Sequence, residues 1–190
     1  MRALVIISLQ SDFCSFGNLA VDSADLVIEK ANRLMPFFDK VIAVNFAFPP
    51  NHLSFAANHL FRQPGKSMRI NGREQLLKAI HCVDGSYGAE FPSALHTYKI
   101  DYLQKVGTEA SVDVYSMFRD ADNVENILHA YIQSAQLKEL FFTGIVSDFF
   151  VNSIRDAEAR GYTIKIIGDT CAGPLDIADV SIITSSAIIS

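Results

Sequence analysis

Short apolar runs recur along the chain and predict the strands of a parallel sheet. The first run, residues 3–8 with the sequence ALVIIS, is apolar at almost every position. A continuous apolar run is typical of a strand that is buried on both faces, as the strands of parallel sheets are. Later runs predict strands on the same grounds at 40–45, 98–103, 138–143 and 163–168.

Between these runs the apolar positions change to helical spacing. Ser23 is predicted to cap the first helix, and Ser147 or Asp148 the third, because these side chains accept bonds from unpaired N–H groups of a first turn. Gly161 is predicted to end the third helix. The predicted helices cover 22–38, 125–136, 148–160 and 176–189.

The alternation of strands with helices indicates right-handed βαβ units over a parallel sheet. The predicted fold class is α/β, a three-layer α/β/α sandwich with a mostly parallel five- or six-stranded sheet, in one domain covering 1–190. Residues 46–76 lack either pattern, and an irregular segment of this length in a compact domain is usually functional. The pattern of residues 139–157 predicts a strand that ends at Gly144, a sharp turn and then a helix. Ligands bind at such carboxyl ends of strands, so a functional site is predicted there.

Composition and charge narrow the class of protein. A net charge of -5 without a dense basic cluster argues against a nucleic-acid partner. The apolar run at the N-terminus turns polar at Gln10, which is too short for a membrane span. The three widely spaced cysteines, Cys14, Cys82 and Cys171, suggest a reducing compartment. We therefore interpret the chain as a cytoplasmic protein that has no membrane partner.

Six short motifs follow one another along the chain. They are SLQSDF at 8–13, HLSFA at 52–56, HCVDGSYGAEF at 81–91, a K…VDVYSMF stretch from Lys105 to Phe118, GIVSDFF at 144–150 and DTCAG at 169–173. In this order they resemble the motifs of the nicotinamidase/isochorismatase-like cysteine hydrolases, and the nicotinamidase branch in particular. The match at 81–91 runs without a gap, and the others are specific as a set.

The resemblance implies amide hydrolysis by a Cys thiolate at the strand–helix elbow, an Asp base after the first strand and a supporting Lys, with elbow N–H groups stabilising the oxyanion. The base position is Ser8, the nucleophile position is Phe150, and only Lys105 matches. Val146 stands at the oxyanion-hole position, which in the family commonly follows a non-proline cis peptide bond, and Phe13 matches a position that packs on the substrate ring. A hydroxyl has little basicity near neutral pH and a phenyl ring is no nucleophile, so the family's chemistry is predicted to be lost.

The resemblance also implies a divalent metal, Zn, Mn or Fe, held by an Asp and three His. His52 and His81 match two of these ligands, whereas Phe46 and Phe48 replace the other two. We therefore expect no resident cofactor, with a vestigial metal site at the two histidines as the alternative. Lys78 stands where the family has a Trp that packs on the substrate.

Three functions stay open at this stage. The first is a pseudoenzyme that keeps the fold. Its phenylalanines either fill the former site, as we favour, or line a pocket for a small aromatic molecule; they are Phe46, Phe48, Phe149 and Phe150. The second is an active amidohydrolase on nicotinamide or a related small amide, with chemistry displaced to Cys14 or to a metal at the two histidines. The third is a non-catalytic scaffold subunit, since the resemblance implies a homo-oligomer.

Overall fold

The computed structural model describes residues 1–189 and is built around one parallel sheet. The strands in chain order are β1 (Arg2–Ile7), β2 (Lys40–Phe46), β3 (Ser67–Ile70), β4 (Arg73–Leu76), β5 (Tyr102–Val106), β6 (Glu139–Ile145), β7 (Thr163–Ala172) and β8 (Ser181–Ile183). Six of them form the sheet in the order β5-β2-β1-β6-β7-β8, with every neighbouring pair parallel. The antiparallel pair β3–β4 stands apart as a hairpin.

The apolar runs are strands because the sheet is covered on both faces. In β1 every residue from Ala3 to Ile7 is 0% exposed. β1 lies between β2 and β6, where Val5 pairs with Ile42 on one side and with Phe142 on the other. Burial of a continuous apolar strand on two faces is what stabilises a parallel sheet.

Helices cover this sheet and give the three layers. They are α1 (Ala24–Leu34), α2 (Leu128–Ser134), α3 (Asp148–Ala159) and α4 (Ser186–Ile189). α1 links β1 to β2 towards one edge of the sheet, and α3 links β6 to β7 towards the other edge. Because both crossovers are right-handed and run in opposite directions along the sheet, α1 and α3 lie on opposite faces of it. The predicted fold class is confirmed, with six strands. No helix among residues 1–189 is both long and apolar enough to cross a bilayer.

The neighbouring strands β1 and β6 form the switch point of this topology. From β1 the chain proceeds towards β2, and from β6 it proceeds towards β7. Such a reversal leaves a crevice outside the carboxyl ends of the two strands. Ser8 follows β1 and Ser147 precedes α3 there, so the fold brings these two predicted site regions together.

Several predicted elements are wrong in detail. The strand predicted at 98–103 is β5 at Tyr102–Val106, because Thr97–Lys99 forms a 3-10 turn instead. The helix predicted at 176–189 is mostly replaced by β8, whose Ser181–Ile183 segment pairs with β7. β-branched side chains such as Ile182 and Ile183 suit a strand better than a helix. Ser23 has φ 67 and makes no side-chain cap bond, so the predicted cap of α1 is also wrong.

The β3–β4 hairpin was missed within the segment 46–76, which was expected to be irregular. Its turn residues Asn71 and Gly72 have φ values of 50 and 82. Positive φ at both central residues is the type I′ geometry that joins two antiparallel strands, and Asn-Gly is its favoured sequence. The Asn-Gly pair is the sequence signal that would have found the hairpin.

Candidate active site

Ser8 directly follows β1 and has a strained backbone conformation. Its φ is 53, it is 1% exposed, and its Oγ has no hydrogen-bond partner among residues 1–189. The backbone N–H of Ser8 donates to the carbonyl of Val44 at 2.8 Å, which holds the residue beside the end of β2. The residue at the family's base position is therefore a buried hydroxyl with no titratable group bonded to it.

Aromatic rings fill the space beyond the ends of β1 and β2. The rings of Phe46 and Phe48 are stacked, with centroids 5.1 Å apart and planes 17° apart. Phe149 packs edge-on against Phe46 at 4.9 Å, and Phe13 lies 6.1 Å from Phe46. Together with Phe55, His52 and His81 these residues form what we call the aromatic cluster.

The aromatic cluster is packed as core and not as the wall of an open pocket. Phe48 and Phe55 are 0% exposed, and Phe46, Phe149 and Phe13 are each less than 9% exposed. Gly107 faces the cluster, because a Cβ at this position would lie 2.4 Å from the ring of Phe48. The phenylalanine rings of the cluster therefore fill the former site and do not line a pocket for an aromatic molecule.

The elbow between β6 and α3 has the predicted form. Ser147 caps α3, since its Oγ accepts a bond from the N–H of Phe150 at 3.4 Å, and Gly161 follows the helix with φ 82. The ring of Phe150 is 0% exposed and packs edge-on against Phe142 at 6.0 Å. Phe149, rather than Phe150, is the elbow residue whose ring joins the aromatic cluster.

Val146 does not offer a free donor at the elbow. Its backbone N–H donates to the carbonyl of Ala172 at 2.8 Å, and all peptide bonds among residues 1–189 are trans. The cis peptide that the resemblance implies before Val146 is therefore not found. An oxyanion hole needs N–H groups that point at the developing negative charge. At this elbow the N–H groups of Val146 and Phe150 are both bonded within the protein.

Lys105 lies on β5 and points away from the buried site. Its ammonium is 2.7 Å from a carboxylate oxygen of Asp84, and its side chain is 54% exposed. In the family motif the Lys directly precedes a Gly, whereas Val106 separates Lys105 from Gly107 here. One extra residue moves a side chain to the other face of a strand. Val106, 7% exposed, thus takes the inward position, and the structure does not bring Lys105 together with Ser8 and Phe150.

The histidines do not fit a metal site. Both ring nitrogens of His52 are engaged, Nδ1 by the hydroxyl of Ser54 at 2.8 Å and Nε2 by the carbonyl of Val112 at 3.1 Å. His81 bonds the carbonyl of Ala79 through Nδ1 at 2.9 Å, and burial lowers its pKa to about 4. Among residues 1–189 no group of three or more His, Cys, Asp or Glu side chains is placed to hold a metal ion. Phenyl rings at Phe46 and Phe48 supply no ligand atoms, so the family's metal is not accommodated.

We expect the purified protein to bind no stoichiometric Zn²⁺, because the imidazole of His52 would have to break two hydrogen bonds to become a ligand. Equilibrium dialysis against Zn²⁺ followed by metal analysis measures this. A ratio near one metal per chain that falls in His81→Ala would contradict the geometry.

Cys14 does not have the properties of a displaced nucleophile. It is 6% exposed, and burial, with a smaller effect of the Asp25 carboxylate, raises the pKa of its thiol to about 11. Attack on a carbonyl requires the thiolate, which is favoured by a nearby cation or base. Burial likewise raises the pKa of the Cys82 and Cys171 thiols.

We expect the thiols of the native protein to react with a disulfide reagent at pH 7.5 at least about 100-fold more slowly than in the urea-unfolded protein. The reason is the raised pKa of all three thiols, together with the burial of Cys14 and Cys82 and the partial burial of Cys171. Stopped-flow absorbance gives both rates. A fast native phase that disappears in Cys14→Ala would contradict this and would identify an activated thiol.

Two polar residues of the first motif were not singled out from the sequence. The carboxamide of Gln10 donates to the carbonyls of Phe46 and Ala89 and accepts from the N–H of Phe46, each at 2.8 Å. The carboxylate of Asp12 accepts from the N–H of Cys82 at 2.6 Å. Both side chains bond backbone groups, so they hold the loops around the aromatic cluster and have no free group for chemistry. The sequence signal that could have identified Gln10 and Asp12 is their position in the SLQSDF motif, which also contains Phe13.

Comparison with known proteins agrees with this fold. The family model described as the isochorismatase domain matches residues 2–176. The nicotinamidase of Acinetobacter baylyi is 33% identical over 171 residues, covering 89% of this chain and 80% of the relative. Among solved structures, the nicotinamidase–pyrazinamidase of Acinetobacter baumanii superposes with a TM-score of 0.91 at 31% identity, covering 98% of this chain and 97% of that one.

The yeast nicotinamidase bound to the inhibitor nicotinaldehyde superposes with a TM-score of 0.86, covering 97% of this chain and 100% of that one. At 20% identity this likeness supports the fold alone. The family model covers nearly the whole chain. The chain therefore belongs to the isochorismatase family.

Proposed function

We propose that this protein is a non-hydrolytic member of its family, a pseudoenzyme that keeps the nicotinamidase-like fold without the thiol chemistry. The observation that carries the proposal is the elbow, where Phe150 stands at the nucleophile position with its ring 0% exposed. No atom of a phenyl ring can form and then release an acyl intermediate.

The rest of the site supports the same proposal from independent directions. Ser8 supplies no base, and Lys105 is paired with Asp84 outside the buried site. The N–H of Val146 is bonded to Ala172, so the electrostatic stabilisation that usually contributes most to acyl transfer is missing as well. Restoring a cysteine at Phe150 alone would therefore still leave the site without a base, a supporting lysine and a free oxyanion-hole donor.

The alternative proposal is an amidohydrolase that acts on nicotinamide or a related small amide through displaced residues. Its support is the similarity to nicotinamidases and the presence of Cys14 one position after Phe13. The burial of Cys14 and the engaged nitrogens of His52 weigh against it.

Nicotinaldehyde labelled with ¹³C at the carbonyl carbon separates the two proposals. A reactive thiolate adds to an aldehyde carbon and converts it from trigonal to tetrahedral, with a proton taken up at the oxygen. We expect the ¹³C spectrum with the protein to show only the free aldehyde and its hydrate. A further tetrahedral carbon signal that disappears in Cys14→Ala would overturn the pseudoenzyme proposal and support the displaced hydrolase.

A further inference from the structure

We propose that the protein forms a weak two-fold dimer through two adjacent segments, each of which carries a fully exposed phenylalanine. We call residues 15–29 the acidic half and residues 60–69 the basic half of this surface. Asn18 of the acidic half and Arg62 of the basic half line the same cavity, so the two halves lie side by side. The inference concerns association of the chain with itself and does not depend on the absence of hydrolysis.

Each half displays an aromatic ring to solvent. Phe16 in the acidic half and Phe61 in the basic half are both fully exposed, and Leu60 is 87% exposed. The backbone φ is 69 at Phe16 and 58 at Phe61. Positive φ is uncommon for a bulky residue, and such strained conformations persist where the surrounding structure imposes them, often at binding sites. The fold therefore holds two apolar rings away from the core.

Hydrogen bonds fix both segments to the body of the protein. In the acidic half, the N–H of Asn18 donates to the carboxylate of Asp12 at 3.1 Å, and the N–H of Leu19 donates to its carbonyl at 2.9 Å. In the basic half, the N–H of Gly65 donates to the carbonyl of Leu77 at 2.8 Å. A segment that is already fixed loses little conformational entropy on association, which favours binding.

The two halves carry opposite charges. The acidic half contains three carboxylates and no basic residue, whereas the basic half contains three basic residues and no carboxylate. All six side chains are exposed, and none makes an ion pair with residues 1–189. They are Asp22, Asp25 and Glu29 in the acidic half and Arg62, Lys66 and Arg69 in the basic half. Three negative and three positive charges without partners therefore lie next to each other.

This arrangement of charge fits a second copy of the chain. A two-fold axis through the boundary between the halves places the acidic half of one copy on the basic half of its partner, and the reverse. The same contact lets the rings of Phe16 and Phe61 pack across the axis, which removes apolar surface from water. A partner protein or a lipid surface of a single charge would be attracted by one half and repelled by the other. Charge complementarity therefore favours self-association.

The contact rests on two short segments, so the dimer is expected to be weak. Small interfaces of this kind are typically transient, and we expect a dissociation constant on the order of 100 µM. At the low micromolar concentrations of an unfolding experiment the protein would then be monomeric, and exchanges at this surface would have little effect on stability.

Sedimentation velocity of the full chain tests the surface. Up to about fivefold above the expected dissociation constant, we expect an equilibrium between monomer and dimer. Phe61→Ser should raise the dissociation constant at least about 30-fold, as the removal of an interface hot spot does. Ile127→Ser, at a residue before α2 that is also exposed, is the matched control and should leave it unchanged. A protein that stays monomeric, forms an open series of oligomers, or dimerises equally well as Phe61→Ser would overturn the proposal.

Charge reversal tests the two-fold arrangement. One variant combines Arg62→Glu with Lys66→Glu, and the other combines Asp22→Lys with Glu29→Lys, all at exposed positions. Each variant alone should be monomeric, because it places like charges across the axis. An equimolar mixture should form dimers again, because two negative halves then face two positive halves. Dimers of either variant alone, or a mixture that stays monomeric, would overturn the proposed contact, whatever the hydrolysis experiments show.

Discussion

Replacing Phe48 by Ala should lower the free energy of unfolding by about 3–5 kcal/mol, the usual range for a buried Phe. Phe48 is 0% exposed, and its ring centroid lies 4.6 Å from that of His52, 5.1 Å from that of Phe46 and 5.1 Å from that of His81. Removing the ring leaves a cavity between groups that cannot all move inward, since Gly107 has no side chain to fill it. Urea denaturation followed by circular dichroism measures the change.

The matched control is Phe61→Ala, because Phe61 is 100% exposed. This exchange should change the free energy of unfolding by less than about 0.5 kcal/mol. If Phe48→Ala were as mild as Phe61→Ala, the rings would not be packed as core, and an open aromatic pocket would be the better description of the site.

Replacing Asp156 by Ala should lower the free energy of unfolding by about 3–5 kcal/mol, as expected when one member of a buried charged group is removed. Asp156 on α3 is 8% exposed. It accepts from the Ser116 hydroxyl at 2.5 Å, from Arg119 Nε at 2.8 Å and from Arg160 at 3.2 Å. These bonds tie the segment before α2 to α3, and their loss leaves two guanidinium groups without their buried partner.

The control for Asp156 is Glu158→Ala on the same helix. Glu158 pairs with Arg155 at 3.1 Å near the surface, where an ion pair contributes at most about 1 kcal/mol. Thermal denaturation of both variants under the same conditions compares them. Equal losses for the two would show that the Asp156 network is no more than a surface ion pair.

The carboxylate of Asp156 should also make the stability of the folded protein depend on pH. Burial alone would raise the pKa of Asp156, but the bonds from Ser116 and Arg119 and the charge of Arg160 outweigh burial and lower it. A group whose pKa is lower in the folded state contributes stability above its unfolded value, about 3.9, and loses it as the pH falls through the folded value. The difference in stability between the native protein and Asp156→Ala should therefore shrink below about pH 4.

The central strands and the elbow could be predicted from the sequence because their signals are local. β1 and β2 are continuous apolar runs, and α3 begins at a Ser that caps it and ends at a Gly with positive φ. β5 at the edge of the sheet was misplaced because an edge strand is only half-buried and alternates with polar residues. β8 was missed because its three residues are stabilised by pairing with β7, which no local pattern reveals.

The candidate site was predictable as a set of positions but not as a geometry. The motifs place Ser8, Phe150 and the phenylalanines at the family's site positions along the chain, and the structure adds that the rings of Phe48 and Phe149 pack on that of Phe46. The outward direction of Lys105 depends on one residue, Val106, and the loss of the Val146 donor depends on a bond to Ala172. Such contacts arise only once the strands are assembled. The expected homo-oligomer and cytoplasmic location stay predictions.

Ammonia release from nicotinamide tests the proposed absence of the family's chemistry most directly. The full-length protein at high concentration is incubated with nicotinamide, once with a chelator and once each with added Zn²⁺, Mn²⁺ or Fe²⁺. We predict release no faster than in the protein-free blank under all four conditions, because Ser8, Phe150 and Val146 supply no base, nucleophile or free donor. Turnover above the blank that is lost in Lys105→Ala or Cys14→Ala would contradict the account.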